Sequence, residues 1–421
     1  MVENYDDLFT LDDFDLDGKT VLLRVDINSP IDPSTGRILD DHRMKSHLKT
    51  IKELKNTKLI IIAHQSRPGK NDYTSLEPHA KRLGKLLRRK VDYVDGLFDS
   101  HVKNKIKNLN IGDVLLLENA RFYAEETYLK GIEDWKKQEN THIVKNLSPL
   151  IDFFVHDAFA AAHRAQPTLV GFTNIVPCIA GRVMESELEN MGRAFEEDMS
   201  PKVALLGGMK VDDSIEVAEH MLEDDNMDKI LTAGVTANIF MMAAGYDLGE
   251  GNEEFLENEI PGYEKQVEKA KDLLDRYDDK IKIPKDVVLN VDGKRKGVRL
   301  MDLRPSEYPI FDIGLDTIMD YSKDINKSKL VILNGPAGAF EMEEFSLGTT
   351  ELFKTIAHSK AFTIIGGGHS TAVLDSLDIE EEIDHVSTGG GSCINFLAGR
   401  PLVGVEALRK SYRKFKDSMI D

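Results

Sequence analysis

The amino-acid sequence predicts two doubly wound, parallel-sheet (Rossmann-like) α/β domains joined by a long helix, with a cleft between them. Three observations carry that expectation. The chain has 421 residues, more than one hydrophobic core ordinarily holds. Short β-branched apolar runs alternate with longer amphipathic stretches along its whole length, the pattern of βαβ units. Between Pro177 and Pro201, Val183, Leu188, Met191 and Phe195 recur at helical spacing.

In the first half, strands are expected at 21–25, 59–63, 91–94, 114–117 and 153–155, with helices between them, such as 44–54 and 78–87. In the second half they are expected at 203–206, 229–232, 287–290, 330–333, 362–365 and 385–387. The stretch 179–195 reads as one connecting helix with a proline near each end. The tail 405–419 sets Arg409, Lys410, Arg413, Lys414 and Lys416 among Leu408, Tyr412 and Phe415, a packing helix with a solvated basic face. The expected division is a first domain at 1–178 with the tail 405–421 packed back on it, a hinge helix at 179–198, and a second domain at 199–404.

Composition excludes several classes of function. Hydrophobic residues are 41% and charged residues 30%, enough apolar material for cores and enough charge for solubility. Asp and Glu number 73 against 54 Lys and Arg, a net charge of −19. A surface that acidic repels nucleic acid and anionic membranes, so an anionic ligand needs a local basic pocket. Cys178 and Cys393 are the only cysteines, which rules out a disulfide scaffold or a Cys-rich zinc site. The acidic start, Met1-Val2-Glu3-Asn4-Tyr5-Asp6-Asp7, is unlike a signal peptide. No apolar run reaches the roughly 18 residues of a membrane span. A cytoplasmic protein is expected, as a monomer with a dimer the alternative.

Ligands of open α/β sheets bind beyond the carboxyl ends of the strands, and the two halves place different chemistry there. The first half places charge. The strand at 21–25 runs into Asp26, Ile27 and Asn28, and 59–63 into His64-Gln65-Ser66-Arg67. The strand at 114–117 runs into Glu118-Asn119-Ala120-Arg121, and 153–155 into His156-Asp157 and on to His163-Arg164. Arg24, two residues before Asp26 on one strand face, is expected to pair with it. Arg67, Arg121 and Arg164 at equivalent strand ends make an anion pocket, since guanidinium forks grip carboxylate or phosphate oxygens bidentately. His64 and His163 are candidate second donors.

The second half places glycine: Gly207-Gly208-Met209-Lys210, Asn334-Gly335-Pro336-Ala337-Gly338, Gly366-Gly367-Gly368-His369-Ser370, and Gly389-Gly390-Gly391. Glycine lets backbone N–H groups close on phosphate oxygens, and a following helix adds its positive end. One such turn is ordinary in an α/β protein. Four on one sheet edge point to a nucleotide polyphosphate. Gly18-Lys19-Thr20 ends like a Walker loop, but Asp13 occupies the place of its first glycine. No dinucleotide GxGxxG, HExxH or GxSxG spacing occurs. An anion-binding half facing a nucleotide-binding half, with no nucleophile set beside a base, suits phosphoryl transfer.

These motifs, in this order, resemble the phosphoglycerate kinase family. The resemblance rests on 24–30, 64–67, 118–121, 157–164, 207–210, Asn334 and Gly335 with Glu341, 366–368 and 387–391, and it covers essentially the whole chain. It implies reversible transfer between ATP and the carboxylate of 3-phosphoglycerate, giving ADP and 1,3-bisphosphoglycerate, with Mg²⁺ on the nucleotide. It implies substrate binding by Asp26, Ile27, Asn28, Arg43, His64, Gln65, Ser66, Arg67, Arg121 and Arg164. It implies nucleotide binding by Lys210, Asn334, Glu341, Gly366, Gly367, Gly368, His369 and Ser370. The implied catalytic set is Arg43, Lys210, Gly367 and Gly390. Two positions depart from the family pattern: Ser214 stands where many members carry a second lysine, and His369 where many carry an aspartate near the metal. The alternatives are a non-catalytic nucleotide- or sugar-phosphate-binding protein, and a kinase of another small phosphorylated acid.

Overall fold

The computed structural model describes residues 7–418. The acidic start therefore lies outside the described residues except for Asp7, as does Met419 of the tail. The chain divides into two compact units. One comprises the residues up to Glu189 together with those from Pro401; the other is Asn190–Arg400.

The first unit is built on strands β1 (Phe9–Thr10), β2 (Thr20–Arg24), β3 (Lys58–Ile62), β4 (Asp92–Tyr93), β5 (Val114–Leu116), β6 (Phe153–His156) and β7 (Cys178–Ala180). They form one sheet in the order β1-β7-β6-β2-β3-β5-β4, parallel throughout. With helices on its faces, such a sheet buries both sides, so its strands are continuous apolar runs. Val21, Leu23, Leu59, Ile61, Val114, Leu116, Phe153 and Val155 form the core of one face. Each buried aliphatic side chain contributes about 1.5–3 kcal/mol. The helix Val403–Phe415 belongs to this unit. Tyr412 and Phe415 pack on that core, and Lys410 lies 4.6 Å from the centre of the Trp135 ring.

The second unit holds β8 (Lys202–Leu206), β9 (Lys229–Thr232), β10 (Ile281–Lys282), β11 (Asp286–Val291), β12 (Lys294–Arg299), β13 (Ile310–Ile313), β14 (Leu330–Asn334), β15 (Phe362–Gly366) and β16 (His385–Val386). Six of them form a parallel sheet, β10-β9-β8-β14-β15-β16. The other three form a separate antiparallel sheet, β12-β11-β13.

Two differences from the sequence reading have local causes. The run at 287–290 belongs to the antiparallel sheet because Asp292 and Gly293, at φ 50° and 82°, close a two-residue hairpin between β11 and β12. The connecting helix begins later than 179, because Cys178–Ala180 is drawn into the sheet between β6 and β1. The helix proper runs Arg182–Gly192, and one 3₁₀ turn, Arg193–Phe195, follows it. Among the described residues no helix is long and apolar enough to cross a membrane.

Candidate active site

The carboxyl ends of β2, β3, β5 and β6 deliver the charged residues of the first unit to one sheet edge. Beyond β2, Asp26 is 4% exposed, and Arg43 Nη1 lies 2.6 Å from its Oδ2. Arg43 sits in the short helix His42–Ser46. Burial opposes ionisation of Asp26, but Arg43, His64, the Asn28 N–H and Arg24 outweigh it and hold its carboxyl well below the usual range. The Asn28 N–H donates to Asp26 Oδ1 at 3.0 Å, and Asn28 Oδ1 accepts from the Ser66 N–H at 2.7 Å. Ser66, at φ 54°, is a non-glycine residue held in the left-handed region.

Arg24 corrects the sequence reading. It is fully buried and makes no ion pair with Asp26; its Nε donates to Thr168 Oγ1 at 3.1 Å and its Nη2 to His64 Nδ1 at 3.0 Å. Strand alternation fails as a guide here because β2 ends at Arg24, so Asp26 lies in the loop beyond it. Arg24 thereby fixes the His64 tautomer: Nδ1 accepts, and the proton is on Nε2. Burial first, then Arg24, Arg121 and Arg164, holds the His64 pKa well below its ordinary value, so the ring is a neutral donor near pH 7.

Around it the cations strain against one another. Arg121 is pulled down to about 10 by burial and by Arg164 and Arg24. Arg164 is lowered by burial, with Arg43 and Arg67 adding to the effect. Lys130, which the sequence reading passed over, is lowered by burial and by Arg164, Arg121 and Arg67. Mutual depression of guanidinium groups marks a place where positive charge exceeds its counter-charges. Besides Asp26, the buried acid nearby is Glu126, which faces Arg24 and accepts from the Thr168 N–H and hydroxyl. Two residues of the implied set are turned away. Ile27 is fully buried, and Gln65 spends its side chain on the Ser29 backbone at 2.9 and 3.0 Å and on His79 at 3.0 Å.

In the second unit each glycine loop leads from a strand toward a helix. Lys210 is exposed and immediately precedes the helix Val211–Glu223. The helices Gly368–Leu377 and Gly390–Leu397 begin at two other loops, and the Asn334–Gly338 loop leads through the 3₁₀ turn Glu343–Phe345 to the helix Leu347–Ala357. Gly207 and Gly335 are required by packing alone: a Cβ on either would come within 2.4 Å of the other loop's carbonyl oxygens. Gly367 and Gly390 abut, with a Gly390 Cβ falling 3.2 Å from Gly367 Cα, whereas Gly368 has open space before it. Asn334 Oδ1 lies behind Gly367, and Ser370 Oγ accepts from the Gly335 N–H at 3.0 Å. Beside these loops is a cavity of about 160 Å³ lined by Glu341, His369, Met241, Val287 and Phe311. Asp312 also lines it, pushed up to about 6 by burial although Gly348 and Ile313 N–H groups support its charge. The apolar wall comes partly from the antiparallel sheet, which strand counting had merged with the parallel one. Ser214 is fully buried, and its hydroxyl has no hydrogen-bond partner.

The family model described as phosphoglycerate kinase matches residues 11–400. The chain is 47% identical over 409 residues to phosphoglycerate kinase of Methanosarcina mazei, covering 97% of each sequence. It is 50% identical over 402 residues to that of Methanobacterium bryantii, covering 95% of this chain and 97% of the relative. The crystal structure of phosphoglycerate kinase from Pyrococcus horikoshii superposes with a TM-score of 0.88 at 43% identity, over 97% of this chain and all of that one. The Coxiella burnetii enzyme gives 0.78 at 31% identity, over 95% and 98%. With one family matching from Leu11 to Arg400 and relatives covered almost end to end, the chain belongs to the phosphoglycerate kinase family.

Proposed function

We propose that the chain carries out its family's reaction by dividing the two substrates between its two units. The reaction is the reversible transfer of a phosphoryl group between ATP and the carboxylate of 3-phosphoglycerate. The crowding of Arg121, Arg164, Lys130 and neutral His64 at one sheet edge carries this reading, because their positive charge exceeds that of the carboxylates beside them, Asp26 and Glu126. Arg67, Arg121, Arg164 and the His64 Nε2–H hold the 3-phosphate. Asp26 and Asn28 hold the hydroxyl and carboxylate end. In the second unit, Lys210 and the N–H groups of Gly366–Gly368 hold the nucleotide phosphates, Glu341 the ribose, and the apolar cavity wall the base.

A carboxylate oxygen of 3-phosphoglycerate attacks the γ-phosphorus in line, the bond from that phosphorus to the β–γ bridging oxygen breaks, and its electron pair leaves on ADP. The acceptor is already ionised at pH 7, so no general base is required. The chain's part is positioning and charge stabilisation: Arg43 and Lys210 supply positive charge, and the Gly367 and Gly390 loops supply N–H groups. Both ligands must be brought together, so the reading includes closure of the two units around them. Among the described residues no group of three or more His, Cys, Asp or Glu side chains is disposed to hold a metal. Mg²⁺ enters as part of the nucleotide substrate, bound to its phosphates.

An assay coupled to 1,3-bisphosphoglycerate reduction, with ATP and 3-phosphoglycerate, tests the reading. Turnover that disappears when another small phosphorylated acid replaces 3-phosphoglycerate supports it. No turnover, with both ligands still bound in calorimetry, would assign the chain to binding alone.

A further inference from the structure

Behind Asp26 lies a buried polar chain that the reaction as described does not use. His47 is 2% exposed and Asp157 wholly buried. His47 Nδ1 lies 2.7 Å from Asp157 Oδ2, and its Nε2 lies 3.0 Å from the backbone N and 3.1 Å from the backbone O of Asp26. Asp157 Oδ1 in turn accepts from the N–H of Val183 at 2.8 Å, in the first turn of the helix Arg182–Gly192. The backbone N–H of Arg182 donates to Thr50 Oγ1 at 3.1 Å, a second tie between the same two stretches of chain.

The chemistry of these atoms fixes the direction of the bond to Asp157. A carboxylate only accepts, so Nδ1–H donates to Asp157. An unprotonated Nε2 accepts from the buried Asp26 N–H, and a protonated one donates to the Asp26 carbonyl oxygen, so in either state the ring is tied to the Asp26 backbone. The pair looks like the Asp–His half of a general-base dyad, but its outer nitrogen is spent on backbone and does not reach a substrate. Asp157 is held to this position by bare space: a Cβ on Gly181 would fall 2.2 Å from Asp157 Oδ1. Glycine at 181 thus lets one carboxylate serve both the imidazole and the helix start.

We propose that His47 is a positioning residue for phosphoryl transfer: with Asp157 it locks the Asp26 backbone to the first turn of the helix Arg182–Gly192, and so sets the carboxylate that receives the acceptor. The proposal rests on the reading of Asp26 as an acceptor ligand. Removal of the imidazole loosens the Asp26 loop while the nucleotide loops, on the other unit, keep their geometry.

The test compares full-length wild type, His47→Leu, His47→Gln and Asp26→Asn. His47→Leu is expected to raise KM for 3-phosphoglycerate about tenfold, the value of one hydrogen bond, while ATP affinity by calorimetry stays within about twofold. His47→Gln, which restores an acceptor for the Asp26 N–H, recovers much of that loss; a filler residue in a merely structural role would not. Nitrogen-15 spectra of the wild type give an independent readout, with Nδ1 protonated toward the Asp157 carboxylate, so the proposal stays testable even if His47→Leu does not fold. It is overturned if Nδ1 carries no proton, if His47→Leu leaves that KM unchanged, or if it weakens both substrates alike. If Asp26→Asn also leaves the KM unchanged, the placement of the acceptor is what fails; if Asp26→Asn raises it and His47→Leu does not, the positioning role alone fails.

Discussion

Arg43 reaches across 2.6 Å to Asp26 and is still 39% exposed, so its guanidinium is anchored on one side and open to a ligand on the other. On the proposed mechanism it stabilises charge developing on the phosphoryl group in flight, in the manner of an arginine finger, a role worth roughly 10³–10⁵ in rate elsewhere. Arg43→Ala should lower kcat severely and change KM for ATP little. Arg43→Lys should recover only part, because a point charge cannot hold Asp26 and a phosphoryl oxygen with one planar fork. Retention of more than about a tenth of wild-type kcat in Arg43→Ala, a loss under about 1.4 kcal/mol, would remove the finger role. At this scale the sequence was legible where charge followed an apolar strand, as at Arg67, Arg121 and Arg164. It misled where a side chain's direction depends on the loop: Arg24 turns back to His64 and Thr168, and Gln65 turns inward to Ser29 and His79. Lys130 gave no signal, because it follows no strand and its role arises only from the three arginines that surround it.

The elements show a similar division. Parallel strands announced themselves as apolar runs, whereas the antiparallel sheet was hidden behind an Asp-Gly turn whose meaning depends on β12, a strand too polar to read as one. Asp312 on β13 gives that sheet a testable property. Its pKa is raised by burial to about 6, so protonation favours the fold. The contribution is fully present below the unfolded value near 3.8 and is lost as pH rises through 6. Relative to Asp312→Asn, the wild type should therefore lose about 2 kcal/mol of unfolding free energy between pH 4 and 7, measured by urea titration at each pH. A difference that stays flat with pH would mean the carboxyl is ionised throughout. The helix Val211–Glu223 gives a second test. Ser214 stands one turn beyond Lys210, but it is fully buried and faces the interior. A lysine there has no room, so Ser214→Lys should lower Tm through overpacking and should not rescue the rate of Arg43→Ala. Rescue without loss of Tm would show that this helix face opens during turnover.

The molecule as a whole carries a net charge of −19, yet the first unit gathers Arg24, Arg43, Arg67, Arg121, Arg164 and Lys130 about one pocket. An acidic exterior with a basic interior site repels polyanions in general and admits a small one. Attraction between partly buried charges is screened less than that between exposed ones, so binding of a small anion there should survive moderate salt. The division of chemistry between charged strand ends and glycine strand ends was legible because it is written in short contiguous motifs. The polar chain from Asp26 through His47 to Asp157 was not, because its members lie 21 and 110 residues apart. The account's central claim is that each unit holds one substrate. Calorimetry on the full chain tests it most directly, with 3-phosphoglycerate and ATP titrated separately into wild type, Arg164→Ala and Lys210→Ala. The prediction is a crossed pattern, in which Arg164→Ala loses about 1.5–3 kcal/mol for 3-phosphoglycerate alone and Lys210→Ala a similar amount for ATP alone. If either substitution weakens both ligands equally, or neither, the division of substrates between the units is contradicted.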